Sequence, residues 1–160
     1  MSKNDNHLPV YGVGPILVSP IAATAIIGLI LSYYELIPKF QISYLNWFLT
    51  IVGLFLILVG MIFWIISVKS DIDENIKNNQ LKTTGIYGIV RHPIYAAFLY
   101  GSTGLILISN NVYLFILPIL YWLFLSISLK NTEEKWLIEL YGDDYITYSK
   151  KVNRFIPKVI

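Results

Sequence analysis

The stretch that decides the fold lies at residues 93–129: "PIYAAFLYGSTGLILISNNVYLFILPILYWLFLSISL". It holds two apolar runs, residues 93–108 and 112–129, which only the polar triplet at residues 109–111 separates. So short a connection forces two helices to lie antiparallel and side by side. The sequence therefore predicts a helical hairpin whose two far ends are neighbours.

Two further apolar stretches, residues 16–34 and 47–68, precede this hairpin. Apolar residues make up 56% of the 160-residue chain and charged residues 14%, against averages of about 45–50% and about 25%; the mean hydropathy is +0.61. So little charge cannot coat a water-soluble surface. A membrane span needs roughly 20 residues, which all but the run at 93–108 approach. We predict an all-α, polytopic membrane protein with about four transmembrane helices.

The predicted domain organisation is a single membrane domain over residues 1–160. It comprises an N-terminal tail (1–15), two spans (16–68), a cytoplasmic loop (69–92), the hairpin (93–129) and a cytoplasmic helical tail (130–160). Eleven of the 12 basic residues fall in the segments that four spans place on one side, and only Lys39 lies opposite. The positive-inside rule then predicts a protein of the cell (inner) membrane with both termini cytoplasmic.

The hairpin also brings ionisable residues together. Counted from Asn110, Arg91 and His92 lie 19 and 18 residues back, while Glu133 and Glu134 lie 23 and 24 residues forward. At 1.5 Å per residue, the two pairs differ in depth by about one helical turn. Ionisable groups at membrane depth are costly and suggest a functional site. Charges of both signs would suit a zwitterionic ligand such as an amino-acid moiety.

Each of these residues also has a simpler interpretation. Arg91 could extend to lipid phosphate, Pro93 suits the first position of a helix, and the glutamates favour a helix N-terminus. The combination, with tyrosines around it and an amphipathic tail that could cover it, favours a site over these separate explanations.

Other classes of function find little support in the sequence. A net charge of +2 gives no indication of nucleic-acid binding, and the absence of cysteine excludes a thiolate metal site or a cysteine nucleophile. His7 and His92 are the only histidines, and neither has a carboxylate at ligand spacing. We therefore predict no metal and no nucleic-acid partner.

Two stretches, "GIYGIVRHPIYAAF" (85–98) and "EEKWLIELYGDDYITYSKKVNRFIP" (133–157), resemble the isoprenylcysteine carboxyl methyltransferase family and its phospholipid-methyltransferase-like relatives. In that family a G-x-Y-x-x-V-R-H-P-x-Y stretch opens a helical hairpin. A Glu-Glu pair and a tyrosine-rich element follow it and end near Ile-Pro. The resemblance covers residues 81–157, and one departure is Ala97, where the family usually has glycine. A methyl group there is expected to narrow a helix contact or a cofactor channel.

The resemblance implies S-adenosylmethionine as cofactor, with a C-terminal amphipathic segment covering a pocket on the cytoplasmic side. Arg91 and Glu134 are the predicted catalytic residues, Arg91 orienting the acceptor or the cofactor carboxylate. Either Glu133 or Glu134 would hold the cofactor's ammonium group. The predicted cofactor-binding residues are Gly85, Tyr87, Val90, His92, Pro93, Tyr95 and Glu133. The expected partners are membrane lipids and a lipophilic small-molecule or lipid-linked acceptor.

Several alternatives stay open. A carboxylate acceptor needs no base because it is already ionised, whereas an amine must be neutral and needs a glutamate or histidine to take its proton. A thiol acceptor is the third option. Some NADPH-dependent membrane reductases of the sterol-reductase type resemble the same C-terminal pattern. A non-catalytic membrane protein could also keep the hairpin for packing, since Gly101, Ser102 and Gly104 allow close helix contact.

Overall fold

The computed structural model describes residues 13–70 and 80–158. The prediction of an all-α fold is confirmed, since these residues form helices and no strand. Short 3-10 turns, Ser43–Leu45 and Val112–Phe115, lead into the second and fifth helices. The helices are α1 (Gly14–Tyr33), α2 (Asn46–Val68), α3 (Ile86–Ile89), α4 (Pro93–Ser109), α5 (Ile116–Asn131), α6 (Glu133–Tyr141) and α7 (Asp143–Lys151).

Three helical runs in the described ranges are long and apolar enough to cross a membrane: Gly14–Tyr33, Ser43–Val68 and Val112–Tyr141. Helix α4 is apolar but has only 17 residues, as the sequence predicts. Large apolar side chains such as Trp47 and Phe55 are exposed, which fits a surface that lipid tails cover. Residues 1–12 of the predicted tail and 71–79 of the predicted loop lie outside the described residues.

Helices α2 and α4 make the closest contact in the described fold, and glycines allow it. A Cβ atom at Gly53 would lie 2.7 Å from the carbonyl oxygen of Gly104, and one at Gly60 would lie 2.7 Å from that of Ala97. Both distances are shorter than a carbon atom tolerates. The predicted role of small residues in close packing is therefore confirmed at Gly104, and α4 packs mainly on α2 rather than on its hairpin partner α5.

Both asparagines of the polar triplet at the hairpin tip are buried. Asn110 adopts a left-handed conformation (φ 45°) that ends α4, and its side chain bonds to both backbone groups of Ile42 at 3.3 Å. The Asn111 amide donates to the Ser32 hydroxyl and to the Pro38 carbonyl, each at 3.1 Å. These bonds tie the hairpin tip to the connection between α1 and α2, and so fix the hairpin against the first two helices.

Candidate active site

Helix α4 begins at a sharp corner in the chain, at the end away from the hairpin tip. Val90 is extended after α3, and Pro93 occupies the first turn of α4, where its missing N–H removes no helical bond. The residues after α7 run beside this corner: the Arg91 N–H donates to the Asn153 carbonyl at 2.8 Å, and the His92 N–H donates to the Arg154 carbonyl at 3.0 Å. We call residues 152–156 the C-terminal segment.

Glu134, in the first turn of α6, is the centre of the site. Its side chain is 7% exposed. Arg154 holds it with two parallel bonds, Nε to Oε1 at 2.8 Å and Nη2 to Oε2 at 2.6 Å. Arg91 Nη1 lies 3.1 Å from Oε1 and His92 Nε2 lies 3.3 Å from the same oxygen. Four nitrogen atoms from three basic side chains therefore contact one buried carboxylate, three of them at Oε1 and one at Oε2.

His92 bridges the two neighbouring glutamates. Its Nε2 faces Glu134, and its Nδ1 lies 3.6 Å from Oε2 of Glu133. Burial disfavours the charged imidazole, but hydrogen bonds and charge from the two carboxylates outweigh burial and raise the pKa of His92 above its ordinary value. His92 therefore contributes a positive charge to the site under mildly acidic conditions and retains it to higher pH than a free histidine.

Glu133 has a different environment from Glu134. Its Oε1 accepts a hydrogen bond from the Tyr95 hydroxyl, and its side chain is 19% exposed, against 7% for Glu134. Each carboxylate oxygen can accept about two hydrogen bonds, so Glu133 keeps acceptor capacity for a ligand. Of the adjacent glutamates, Glu133 is the one with room to bind a cation.

Helix α7 closes the site with two buried tyrosines. The Tyr145 hydroxyl accepts a bond from Arg91 Nη1 at 3.1 Å, and the Arg91 guanidinium lies 5.8 Å from the Tyr145 ring centroid, within cation–π range. Burial is the main cause that raises the pKa of Tyr145 to about 12, so the hydroxyl stays protonated. Tyr148 donates to the Tyr87 carbonyl at 2.5 Å and fixes α3. Among the described residues, Arg91 Nε is a buried donor without a protein partner.

The predicted convergence of the basic and acidic pairs is confirmed: Arg91, His92, Tyr95, Glu133 and Glu134 form one connected cluster. The roles predicted for these residues stay predictions.

The other predicted residues lie beside this cluster in the chain. Val90 and Pro93 are buried at the corner, and Tyr87 is buried in α3. Gly85 precedes α3 with φ 63°, and a Cβ there would meet no atom within 4 Å. Its backbone conformation, rather than crowding, favours glycine.

Sequence reasoning missed Arg154 and Tyr145. Arg154 follows the end of α7 in "VNRFIP", where a basic residue between Asn153 and Phe155 is the only signal. Phe155 is 2% exposed, and its ring centroid lies 6.5 Å from that of His92. The described residues contain no group of three or more metal-ligating side chains.

An apolar groove of about 310 Å³ lies between α1 and α2, with α4 as its floor. Ile26, Trp64 and Leu105 are among its lining residues, and Ala97 lines it where α4 meets α2. Ile26 and Trp64 are also among the exposed apolar side chains, so the groove adjoins the apolar outer surface of the helices. The expected narrowing effect of the Ala97 methyl group stays a prediction.

The sequence profile of the family described as phospholipid methyltransferase matches residues 45–144. This range is more than half of the chain and includes the corner at Arg91 and both glutamates. The chain belongs to this family. The match ends before the C-terminal segment, so Arg154 lies beyond it.

Curated relatives carry methyltransferase names. The chain is 38% identical over 84 residues to the protein-S-isoprenylcysteine O-methyltransferase of Schizosaccharomyces pombe, a match that covers 52% of the chain and 35% of that protein. It is 28% identical to the B form from Arabidopsis thaliana, over 90% of the chain and 77% of the relative. It is 29% identical to methanethiol S-methyltransferase 1 of Bradyrhizobium diazoefficiens, over 72% of the chain and 40% of the relative. The matches cover well under half of the length of the first and third of these relatives. The resemblance seen in the sequence is confirmed.

Proposed function

We propose that this chain is a methyltransferase that uses S-adenosylmethionine and methylates a lipophilic acceptor at the cytoplasmic face of the cell membrane. The observation that carries the proposal is the cluster of Arg91, His92 and Arg154 with two glutamates, whose centre at Glu134 is buried. With His92 protonated, the cations outnumber the carboxylates by one. Such a cluster can bind an amino acid, because the ligand's ammonium group pairs with a glutamate and the ligand's carboxylate meets the excess positive charge.

The residues fit the amino-acid part of this cofactor in a specific way. Glu133 has spare acceptor capacity and is partly exposed, so it would hold the ammonium group. Arg91 has a buried donor without a protein partner and would face a carboxylate, either that of the cofactor or that of the acceptor. Gly85, Tyr87, Val90, Pro93 and Tyr95 would form the walls around them. When bound, S-adenosylmethionine supplies a methyl group on a positively charged sulfur.

The state of the titratable groups favours an acceptor that needs no base. His92 cannot take a proton while it carries its positive charge, and Glu134 already contacts four nitrogen atoms. Glu133 is assigned to the cofactor's ammonium group. An amine acceptor would need a free base in contact with it. An acceptor that is ionised beforehand, such as a carboxylate, needs only to be positioned and kept from water. Positioning alone can supply roughly 7–11 kcal/mol of the barrier.

The apolar groove supports a lipophilic acceptor. Its walls are almost entirely hydrocarbon, and Ala97 and Phe98 lie on the same helix as Tyr95 of the cluster. Burying the hydrocarbon part of an acceptor in the groove would favour binding by about 0.8 kcal/mol per CH₂ group removed from water. We expect the reactive end of such an acceptor to point toward the corner at Arg91.

Calorimetric titration of the purified protein in lipid nanodiscs tests the cofactor proposal. S-adenosylmethionine should bind to the wild-type protein, and Glu133→Gln should weaken binding by about tenfold or more, because it removes the charge that pairs with the ammonium group. Lys151→Gln is the matched control, since this exposed lysine of α7 lies outside the cluster. NADPH, titrated in parallel, tests the reductase alternative.

A second assay identifies the product. Membranes that contain the protein are incubated with cofactor labelled in its methyl group, and lipids and small molecules are then extracted. We expect label in an apolar fraction, in an ester that base releases if the acceptor is a carboxylate. Absence of cofactor binding by the folded wild-type protein would contradict the proposal and favour a non-catalytic protein.

A further inference from the structure

Arg154 stands out because its side chain and its backbone act on the same site. The guanidinium makes two bonds to Glu134, at 2.8 and 2.6 Å. Its carbonyl accepts the His92 N–H at 3.0 Å. The next residue, Phe155, is buried and its carbonyl accepts the Tyr100 hydroxyl at 2.7 Å. One residue therefore connects the C-terminal segment, α6 and the corner that begins α4.

The geometry at Glu134 explains why such a residue is needed. A glutamate side chain rotates about three bonds, and Arg91 and His92 both approach the same oxygen, Oε1. Neither of them restrains Oε2. The planar guanidinium of Arg154 contacts both oxygens at once, which fixes the plane of the carboxylate as well as its position.

We propose that Arg154 is a positioning residue that locks the Glu134 carboxylate, so that Arg91 and His92 are held in the arrangement that binds the cofactor. The inference deepens the proposed function and rests on it. Arg154 then acts through Glu134 and does not touch the ligand. Glu133, which Arg154 does not contact, is left as the carboxylate that the ligand uses.

A double-mutant cycle on cofactor binding tests this role. S-adenosylmethionine is titrated into the wild-type protein, Arg154→Gln, Glu134→Gln and the double variant, all in nanodiscs. We expect each single variant to bind about tenfold more weakly, and the double variant to bind no more weakly than the worse single one. Additive losses would overturn the proposal, because Arg154 would then act independently of Glu134.

The conservative variant separates geometry from charge. Lysine keeps the positive charge but offers one point of contact instead of a fork. Arg154→Lys should therefore bind the cofactor measurably more weakly than the wild type, whereas the control Lys151→Gln should bind as the wild type does. Wild-type affinity in Arg154→Lys would overturn the two-pronged mechanism.

An NMR titration tests the positioning role without any cofactor. The chain has only two histidines, so with ¹⁵N-labelled histidine the His7→Gln background leaves the signal of His92 alone. The groups that face His92 are Glu133 and Glu134 from α6, Tyr95 from α4 and Phe155 from the C-terminal segment. Two cations, Arg91 and Arg154, share Oε1 of Glu134 with it.

The two mechanisms predict opposite shifts in this titration. If Arg154 positions Glu134, then Arg154→Gln lets the carboxylate leave the imidazole, and the pH midpoint of His92 falls. If Glu134 stays in place without Arg154, loss of a nearby cation raises the midpoint. A midpoint that rises or does not change would overturn the positioning role. A wild-type protein that fails to bind S-adenosylmethionine, but shows the lower midpoint in Arg154→Gln, would contradict only the proposed function.

Discussion

Replacing Glu134 by glutamine is the perturbation for which the structure predicts the largest loss of stability in the site. The carboxylate is 7% exposed and faces nitrogen atoms of Arg91, His92 and Arg154 at 2.6–3.3 Å. Glutamine keeps the shape but removes the negative charge, and its amide nitrogen would place a donor against donors. The buried Arg91 and His92 are then left without their main counter-charge.

The magnitude follows from how buried each partner is. Removing one member of a buried ion pair costs about 3–5 kcal/mol. The Arg154 side chain is 30% exposed, so water screens part of the charge that it keeps after Glu134 is replaced. We therefore expect Glu134→Gln to lower the free energy of unfolding by about 3 kcal/mol. Glu133→Gln is the internal control. Its contacts are one bond from the Tyr95 hydroxyl, which an amide oxygen can still accept, and a longer approach to His92. We expect a cost of about 1 kcal/mol.

The assay is reversible unfolding in mixed micelles, with dodecyl sulfate as denaturant and helical circular dichroism as the signal, at pH 6 for all variants. Both variants differ from the wild type by one amide in place of one carboxylate. The difference of about 2 kcal/mol between them therefore reports their environments. A cost for Glu133→Gln equal to or larger than that for Glu134→Gln would refute the idea that Glu134 is the structural anion of the site.

Three further predictions concern stability. The fold favours protonated His92, as its raised pKa shows, so protonated His92 should contribute to the free energy of unfolding. This contribution should be complete below about pH 6.5 and should fall as the pH rises through the folded-state pKa. His92→Gln should remove this pH dependence, and its persistence would contradict the prediction. Gly53→Ala should cost about 1–3 kcal/mol of unfolding free energy, since its Cβ would lie 2.7 Å from the Gly104 carbonyl oxygen. Gly101→Ala, whose Cβ meets no atom within 4 Å, should cost less in the same unfolding assay. Equal losses in the two variants would argue against the close contact. Asn111→Leu should cost about 1–3 kcal/mol, because the buried Ser32 hydroxyl and the Pro38 carbonyl lose their donor. An unchanged unfolding midpoint would show that the tip is not held by these bonds.

Much of the fold follows from local features of the sequence. The apolar runs predict the helices to within a few residues, as at α2 (Asn46–Val68), because a lipid-facing helix must be apolar over its whole length. Pro93 predicts the start of α4, and Gly142, with φ 54°, separates α6 from α7. The three polar residues at 109–111 predict the reversal, but not that both asparagines are buried, because that depends on where the connection between α1 and α2 lies.

The sequence by itself determined that the basic and acidic pairs meet, since a tight reversal between two arms that differ by about one helical turn brings their far ends to similar depth. Only the tertiary structure decided which contacts each of the adjacent glutamates makes, because the turn of α6 sends Glu134 toward the buried cations and leaves Glu133 beside Tyr95. The contacts of Arg154 were also decided only by the tertiary structure. Arg154 reaches the site through a non-helical segment whose path is set by long-range backbone bonds and by the burial of Phe155. No local pattern of residues encodes such contacts.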